Sequence, residues 1–368
     1  MEEKVWLLIE KHTDDKNLRS EKDNIEPGWD WSKAELKDWN LSGLNLSSNE
    51  NRANFSGAYV EGAYFIDAQV EGADFSGAQV EGADFYRAQA EGANFSSAQV
   101  EGANFSGAQV EGADFYRAQA EGANFSSAQV EGADFESADL TNVNLSYSFL
   151  EKTRFDEDTQ LTGVRFLNAD LKHSYLRRAY SHIDEIVIEE AEGKFENAIE
   201  VYLSLKNYFR DEGMYEVSGR YYYREMLMKR KTAWKMINSF KWDKEKKFKS
   251  LKECCGNVIG WFVSKMMDLL TGYGEKPVRV VGWWIGLISM FGAIYHLFKG
   301  IMNHPYAFAY KPSLLESMYF SVVSFTTLGF GDFRPKPGIF QVVASAEAFL
   351  GALFIALFIF VFTRKMIR

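Results

Sequence analysis

Hydrophobic positions along the chain follow three successive rhythms. From Ala53 to Glu157 small or apolar residues return every five positions, as Ala-Asn-Phe-Ser-Gly, Ala-Tyr-Val-Glu-Gly, Ala-Tyr-Phe-Ile-Asp, Ala-Gln-Val-Glu-Gly and onward. A period of five fits neither the 3.6 of an α-helix nor the 2 of an ordinary strand, so this block predicts stacked coils of a solenoid. Past Tyr180 the rhythm becomes that of amphipathic helices. Phe195, Ala198, Tyr202, Leu205 and Phe209 share one face, Asp211 to Gly213 breaks the run, and Tyr215 to Lys235 forms a second helix. Toward the end the chain becomes almost continuously apolar, and Val278 to Phe298 and Ile339 to Phe362 are each long enough to cross a bilayer.

The five-residue unit resembles the pentapeptide-repeat family. That resemblance implies a right-handed quadrilateral β-helix with four repeats per coil, so that residues twenty apart stack. Phe55, Phe75, Phe95, Phe115 and Phe135 then form one internal column and Phe65, Phe85, Phe105 and Phe125 another. Val60, Val80, Val100 and Ala120 line a third face, and Val70, Ala90, Val110 and Val130 the fourth. This pattern is a packed core, not a ligand site. Residues Gln79 to Ala98 recur unchanged as Gln109 to Ala128; a shift of one and a half coils predicts that the copies face opposite ways. Leu41 and Leu46 with Trp29, Trp31 and Trp39 are expected to cap the N-terminal end. Phe166, Leu171 and Leu176 resume the spacing after a break at Asp156 to Gly163. The helical pair beyond resembles one tetratricopeptide-type unit.

Charge sharpens the division. The net charge of -10 belongs to the front, where Glu61, Glu81, Glu101 and Glu121 form one outward column and Glu71, Glu91, Glu111 and Glu131 another. Two readings stand: a solvated, solubilising face, or a site for cations or a partner. Met1 to Lys16 is charged and offers no apolar stretch for a secretory signal, so the front is expected to stay in the cytoplasm. A reducing compartment suits the two adjacent cysteines, Cys254 and Cys255. The stretch Lys229, Arg230, Lys231, Lys235, Lys241, Lys244, Lys246, Lys247, Lys249 and Lys252, interleaved with Trp234, Phe240 and Trp242, is strongly basic. Its place just before a membrane segment favours anionic lipid headgroups over nucleic acid. Val258 to Leu270 is amphipathic and expected to lie in the interface.

Positive charge crowds the approach to the first span, with Arg279 at its rim, and the exit of the second, with Arg364, Lys365 and Arg368. Both termini are therefore expected in the cytoplasm of a cell-membrane protein, with the intervening loop outside. That loop holds a capping box, Ser313 to Glu316, opening an apolar run too short to span, which predicts a re-entrant helix over 313–326. Directly after it comes Thr326-Thr327-Leu328-Gly329-Phe330-Gly331-Asp332. A dehydrated cation needs oxygens in place of water, and a backbone that turns successive carbonyls to one axis needs conformations glycine tolerates. Gly329 and Gly331 supply that freedom, Thr327 can add a hydroxyl at the inner end, and the C-terminal dipole of the short helix favours a cation there. Phe330 is expected to point away from the axis. Thr326, Asp332, Tyr319 and Phe320 are the candidates for supporting this run, the two aromatics as a cuff.

These residues resemble the potassium-channel signature Thr-Val-Gly-Tyr/Phe-Gly-Asp. The resemblance implies a homotetramer in which Thr327, Leu328, Gly329, Phe330 and Gly331 of each chain form a selectivity filter for K+, and it places Gly351 at the inner-helix hinge. Leu328 replaces the usual Val. Thr271-Gly272-Tyr273-Gly274 looks similar but lacks one residue and precedes the first span, so it reads as a turn. Glu347, inside the second span, has two readings: it draws cations or gates near the cavity, or it locks the short helix by a hydrogen bond. His296 reads as structural. No arginine ladder for voltage sensing appears, and no nucleophile–base set or metal-ligand spacing suggests an enzyme or a further cofactor.

The expected organisation is thus a mixed multidomain chain: an N-terminal segment (1–27), a β-helix with caps (28–178), a helical hairpin with basic linker (179–254), an interfacial helix (255–275) and a two-span pore domain (276–368; spans 278–298 and 339–362, filter 327–331). The function this supports is a potassium channel subunit whose solenoid regulates or binds an unidentified cytoplasmic ligand or protein. The alternative is a membrane-anchored interaction protein, acidic enough to mimic DNA or serve as a scaffold, with a poorly selective cation pore.

Overall fold

Every five-residue side of the solenoid makes one bridge and one tight turn. Asn54, Tyr59, Tyr64 and Gln69 pair in parallel with Asp74, Gln79, Asp84 and Gln89, and the pattern repeats, so twenty residues close one four-sided coil. At each corner the amide three residues on bonds back, as from Ala58 to the Phe55 carbonyl at 2.9 Å. The third corner residue is left-handed, with φ of 64° at Gly62 and 57° at both Arg87 and Arg117. Glycine takes that conformation without strain, which explains why it dominates the fifth position. The Asp or Asn of each unit steadies the turn: Asp74 Oδ1 accepts from the Ser76 amide at 2.9 Å and from Asn94 Nδ2, one coil on, at 3.2 Å.

In this computed structural model the described residues are 2–12, 14–18, 28–46, 52–239, 247–303, 311–329 and 331–366. They divide into two units, before and after the Lys229–Arg230 bond. Within the first, the phenylalanine columns form as the spacing predicts. Phe65 and Phe85 stack at 4.6 Å between centroids, 3° from parallel, and Phe55 meets Phe65 edge-on at 5.8 Å and 87°. The stacking distance matches the separation of hydrogen-bonded strands, so coil pitch and ring stacking reinforce one another. The valine and alanine faces are wholly buried. Outside, burial and the neighbouring Glu71 raise the Glu91 carboxyl above its ordinary pKa, and Glu101 and Glu111 are raised for the same two kinds of cause, burial first.

The tryptophan and leucine cluster near the start is a further coil, which corrects its expected role as a cap. Asp30, Glu35, Asn40 and Asn45 bridge to Asn54, Tyr59, Tyr64 and Gln69, and Trp31 stacks on Phe55 at 5.8 Å, in the phenylalanine column. The register there is 24 residues instead of twenty, with the extra residues near 47–51, which lie outside the described part. A short helix, α1 (Glu2–His12), covers this end through Leu8 and Ile9. At the other end Phe155 extends the column and one residue is inserted, since Asp139 pairs with Gln160. Asp156 anchors the insertion by accepting from the Ser137 amide at 2.8 Å and the Thr159 hydroxyl at 2.8 Å. Burial works to raise its pKa, but these bonds outweigh it and hold the carboxyl below the usual range.

Two short 3-10 turns (176–178 and 180–182) and α2 (Ile188–Ala191) lead to the hairpin of α3 (Phe195–Asp211) and α4 (Tyr215–Asn238). Ala198, Tyr202, Leu205 and Phe209 share one core with Phe166, Leu171 and Leu176 of the last coil, and Tyr208 Oη bonds the Ser174 carbonyl at 2.9 Å. The hairpin therefore closes the open end of the solenoid.

The second unit holds α5 (Lys247–Thr271), α6 (Pro277–Leu297), β1 (Ile301–Asn303), α7 (Leu314–Phe325), β2 (Phe333–Pro335) and α8 (Ile339–Met366). Helix α5 is continuous across position 254, where the sequence reading divides linker from interfacial helix. Its Ile259, Phe262, Val263 and Met267 form an exposed apolar stripe. The segment Thr271 to Gly274 is a turn, closed by the Gly274 amide on Thr271 Oγ1 at 3.0 Å. Lys241, Lys244, Lys246, Phe240 and Trp242 lie outside the described residues, as do the side chains of Lys247, Lys249, Lys252, Cys254 and Cys255, and Phe330 and Arg368.

Candidate functional site

Helix α7 starts where the sequence places its cap. The Glu316 amide donates to Ser313 Oγ at 3.2 Å and Glu316 Oε2 accepts from the Ser313 amide at 2.7 Å, a reciprocal pair that satisfies two otherwise unpaired donors. The helix runs only to Phe325, and then the chain turns: the Thr327 and Leu328 amides return to the Ser324 and Val323 carbonyls at 3.1 and 3.0 Å. From there Thr327, Gly329 and Gly331 are left-handed, with φ of 59°, 58° and 82°, while Leu328 is not. Left-handed φ in a β-branched threonine is uncommon and strained. Thr327, Leu328 and Gly329 are all exposed in the single chain.

Three helices hold this run. The Ser321 hydroxyl on α7 lies between two acceptors that share its one proton, Glu347 Oε1 on α8 and the Ile288 carbonyl on α6, the latter at 2.9 Å; Tyr295 on α6 donates to Glu347 Oε2 at 2.7 Å. Glu347 is wholly buried. Both of its carboxylate oxygens meet hydroxyl groups of the other two helices. Gly351, one turn on, lies directly against the C-terminal end of α7: a Cβ there would overlap the Phe325 carbonyl. Gly292 of α6 makes room for the Met318 side chain, whose Sδ a Cβ there would meet.

The two aromatics expected to form a cuff face different neighbours within the single chain. Tyr319 hydrogen-bonds Asp332 and meets the Phe333 ring at 6.1 Å, linking α7 to the chain just past Gly331. Phe320 faces the opposite way, edge-on to Tyr295 at 5.0 Å among Phe291 and Ile301. The reason is helical geometry: consecutive residues lie about 100° apart, so within one chain the two rings meet different partners. Thr326 Oγ1 bonds back to the Val322 carbonyl at 2.7 Å and finishes α7. His296 Nδ1 lies 3.1 Å from the Pro312 carbonyl, joining the end of α6 to the residue before the cap. Sequence reasoning missed the β1–β2 ribbon, in which Met302 pairs with Arg334 and closes the loop around α7. Three-residue strands carry too little periodicity to be read.

Helices α6 and α8, of 21 and 28 residues, reach the roughly 30 Å of a hydrocarbon core. They leave apolar side chains outward: Phe349 is 72% exposed, Leu353 53% and Ile359 58%. Such a surface needs lipid or other chains against it.

Comparison with known proteins agrees with both halves. An ion-channel family model matches residues 283–368. Pentapeptide repeats match in eight copies over 53–89, 83–119, 93–129 and 121–156. Curated proteins give no match. Similar solved structures include a trypsin-treated variant of QnrB1, a plasmid-mediated fluoroquinolone resistance protein, at 24% identity over 38% of this chain and 78% of that one (TM-score 0.24). A pentapeptide repeat protein from the thylakoid lumen of Arabidopsis thaliana is 34% identical over 30% and 69% (TM-score 0.23). Another from Nostoc PCC 7120 is 30% identical over 29% and 81% (TM-score 0.24). The chain joins a pentapeptide-repeat β-helix to an ion-channel domain with two membrane-spanning helices.

Proposed function

We propose that four copies of this chain surround one potassium-selective pore, with Thr327 to Gly331 of each lining its narrowest part. The observation that carries this reading is the left-handed backbone at Thr327, Gly329 and Gly331 directly after a capped short helix. The switch in the sign of φ across Thr327, Leu328 and Gly329 lets successive peptide units there face the same way, which is what a row of ion-coordinating carbonyls requires. That the run is exposed in one chain fits an axis completed by neighbours, and the outward apolar residues of α8 fit burial against them. K+ is the permeant ion; the pore needs no other cofactor. Leu328 takes a backbone position, so its side chain bears on packing behind the carbonyls more than on the ion.

Both termini lie in the cytoplasm of the cell membrane in this reading, and the lysine-rich stretch from Lys229 to Lys252 rests on anionic headgroups, each charge contributing on the order of 1 kcal/mol. The solenoid sits in water and biases the gate. Purified protein in liposomes should release K+ down its gradient far faster than Na+, and Gly329→Ala, which puts a side chain on a left-handed position, should abolish flux or its preference. Potassium preference unchanged in a folded Gly329→Ala protein would refute the assignment.

A further inference from the structure

A cavity of about 660 Å³ in the second unit lies beside the first turns of α6. Three cations reach it from three helices: Arg230 from the end of α4, Lys265 from α5 and Arg279 from the first turn of α6. One carboxylate, Asp268, stands among them. Its two oxygens each take one guanidinium, Arg230 at 2.8 Å and Arg279 at 2.9 Å. Asp268 therefore sets the two arginines side by side while cancelling only one of three charges. The Lys265 ammonium lies 4.9 Å from the Trp261 ring and makes no ion pair among the described residues.

The opposite wall is apolar and bare. Gly282 and Gly286, four residues apart on one face of α6, leave the helix without side chains, and a Cβ at either would meet nothing within 4 Å. Trp283 borders this groove with its Nε1 fixed on the Leu269 carbonyl at 3.1 Å. Indole at that place marks the depth of the headgroups. A cationic mouth at headgroup depth, opening onto a furrow along a membrane helix, has the two-part chemistry of a phospholipid.

We propose that this cavity binds one anionic phospholipid per chain, its phosphate between the two arginines and Lys265 and one acyl chain along the Gly282–Gly286 furrow. The surplus of positive charge selects against a zwitterionic headgroup, and the furrow selects against a free phosphate. The inference rests on α6 lying in a bilayer and is independent of which ion the pore prefers. Ion flux from the same preparation reports that separately.

The test is native mass spectrometry of the full chain with phosphatidylglycerol, with phosphatidylcholine of equal chain length, and with glycerophosphoglycerol, which carries the headgroup without acyl chains. Wild type should hold phosphatidylglycerol about tenfold more tightly than phosphatidylcholine. Lys265→Gln should reduce that preference several-fold. Gly286→Leu fills the furrow on a helix where φ is unstrained, and should weaken both lipids. Equal affinity for the two lipids, a preference unchanged by Lys265→Gln, or affinities unchanged by Gly286→Leu would overturn the proposal. So would competition by glycerophosphoglycerol as strong as that of the lipid, since the site would then be one for soluble phosphate.

Discussion

Gly351 illustrates how a single missing side chain constrains the pore region. Placed against the Phe325 carbonyl, it lets α8 touch the backbone at the end of α7, and no other residue fits without moving that end. Gly351→Ala should therefore shift the end of α7 and degrade ion preference. A residue acting only as a flexible hinge would instead change open probability and leave preference intact. Paired current recordings of reversal potential and open probability distinguish the two. Glu347 is the companion case. Removing its carboxylate in Glu347→Ala leaves the buried Tyr295 hydroxyl without its acceptor, at a cost of about 1–3 kcal/mol, while Ser321 keeps the Ile288 carbonyl. Glu347→Gln keeps a group that can bond both. The alanine variant should lower the melting temperature of the detergent-solubilised oligomer clearly, and the glutamine variant much less. Both residues stand out in the sequence, as a glycine and a charge within an apolar span. Their partners do not, because Tyr295 lies 52 residues away and only the packed helices bring it near.

At the scale of elements, the solenoid was legible to its side chains, because a period of five admits few ways of burying every apolar position. Phe95 sits mid-column between Phe75 and Phe115 at 4.8 and 4.9 Å, and Phe95→Ala should cost about 3–5 kcal/mol, read from chemical unfolding of the β-helix signal. What the period could not disclose is where it is interrupted. The 24-residue first register and the inserted residue near Asp156 preserve bridging while breaking the count, so Trp31 looked like a cap when it is a column member. The glutamate columns give a signed prediction. Raised carboxyl pKa values mean that the folded solenoid binds more protons than the unfolded chain, so this contribution is present at acid pH and is lost as pH climbs through the raised values. Glu101→Gln should raise the melting temperature at pH 7 and reduce the difference between pH 7 and acid pH. An identical pH dependence in the two proteins would show that burial and like charges at Glu101 carry no weight in stability.

At the scale of the whole molecule, the function we propose has the ion-channel domain after about Cys255 conduct and the β-helix with its hairpin bias the gate by interacting differently with open and closed pores. The composition made that division visible, since the acidic repeats and the apolar end belong in different solvents. The gating stimulus is not written in either, because a difference in free energy between two states leaves no pattern in one sequence. A chain lacking Met1 to Lys252 should still form an oligomer that passes potassium, with altered open probability. The most direct test of the central claim is the reversal potential of the full-length channel in a planar bilayer with K+ on one side and Na+ on the other. The account predicts a value close to that of a membrane permeable to potassium alone; a reversal potential near zero would contradict it.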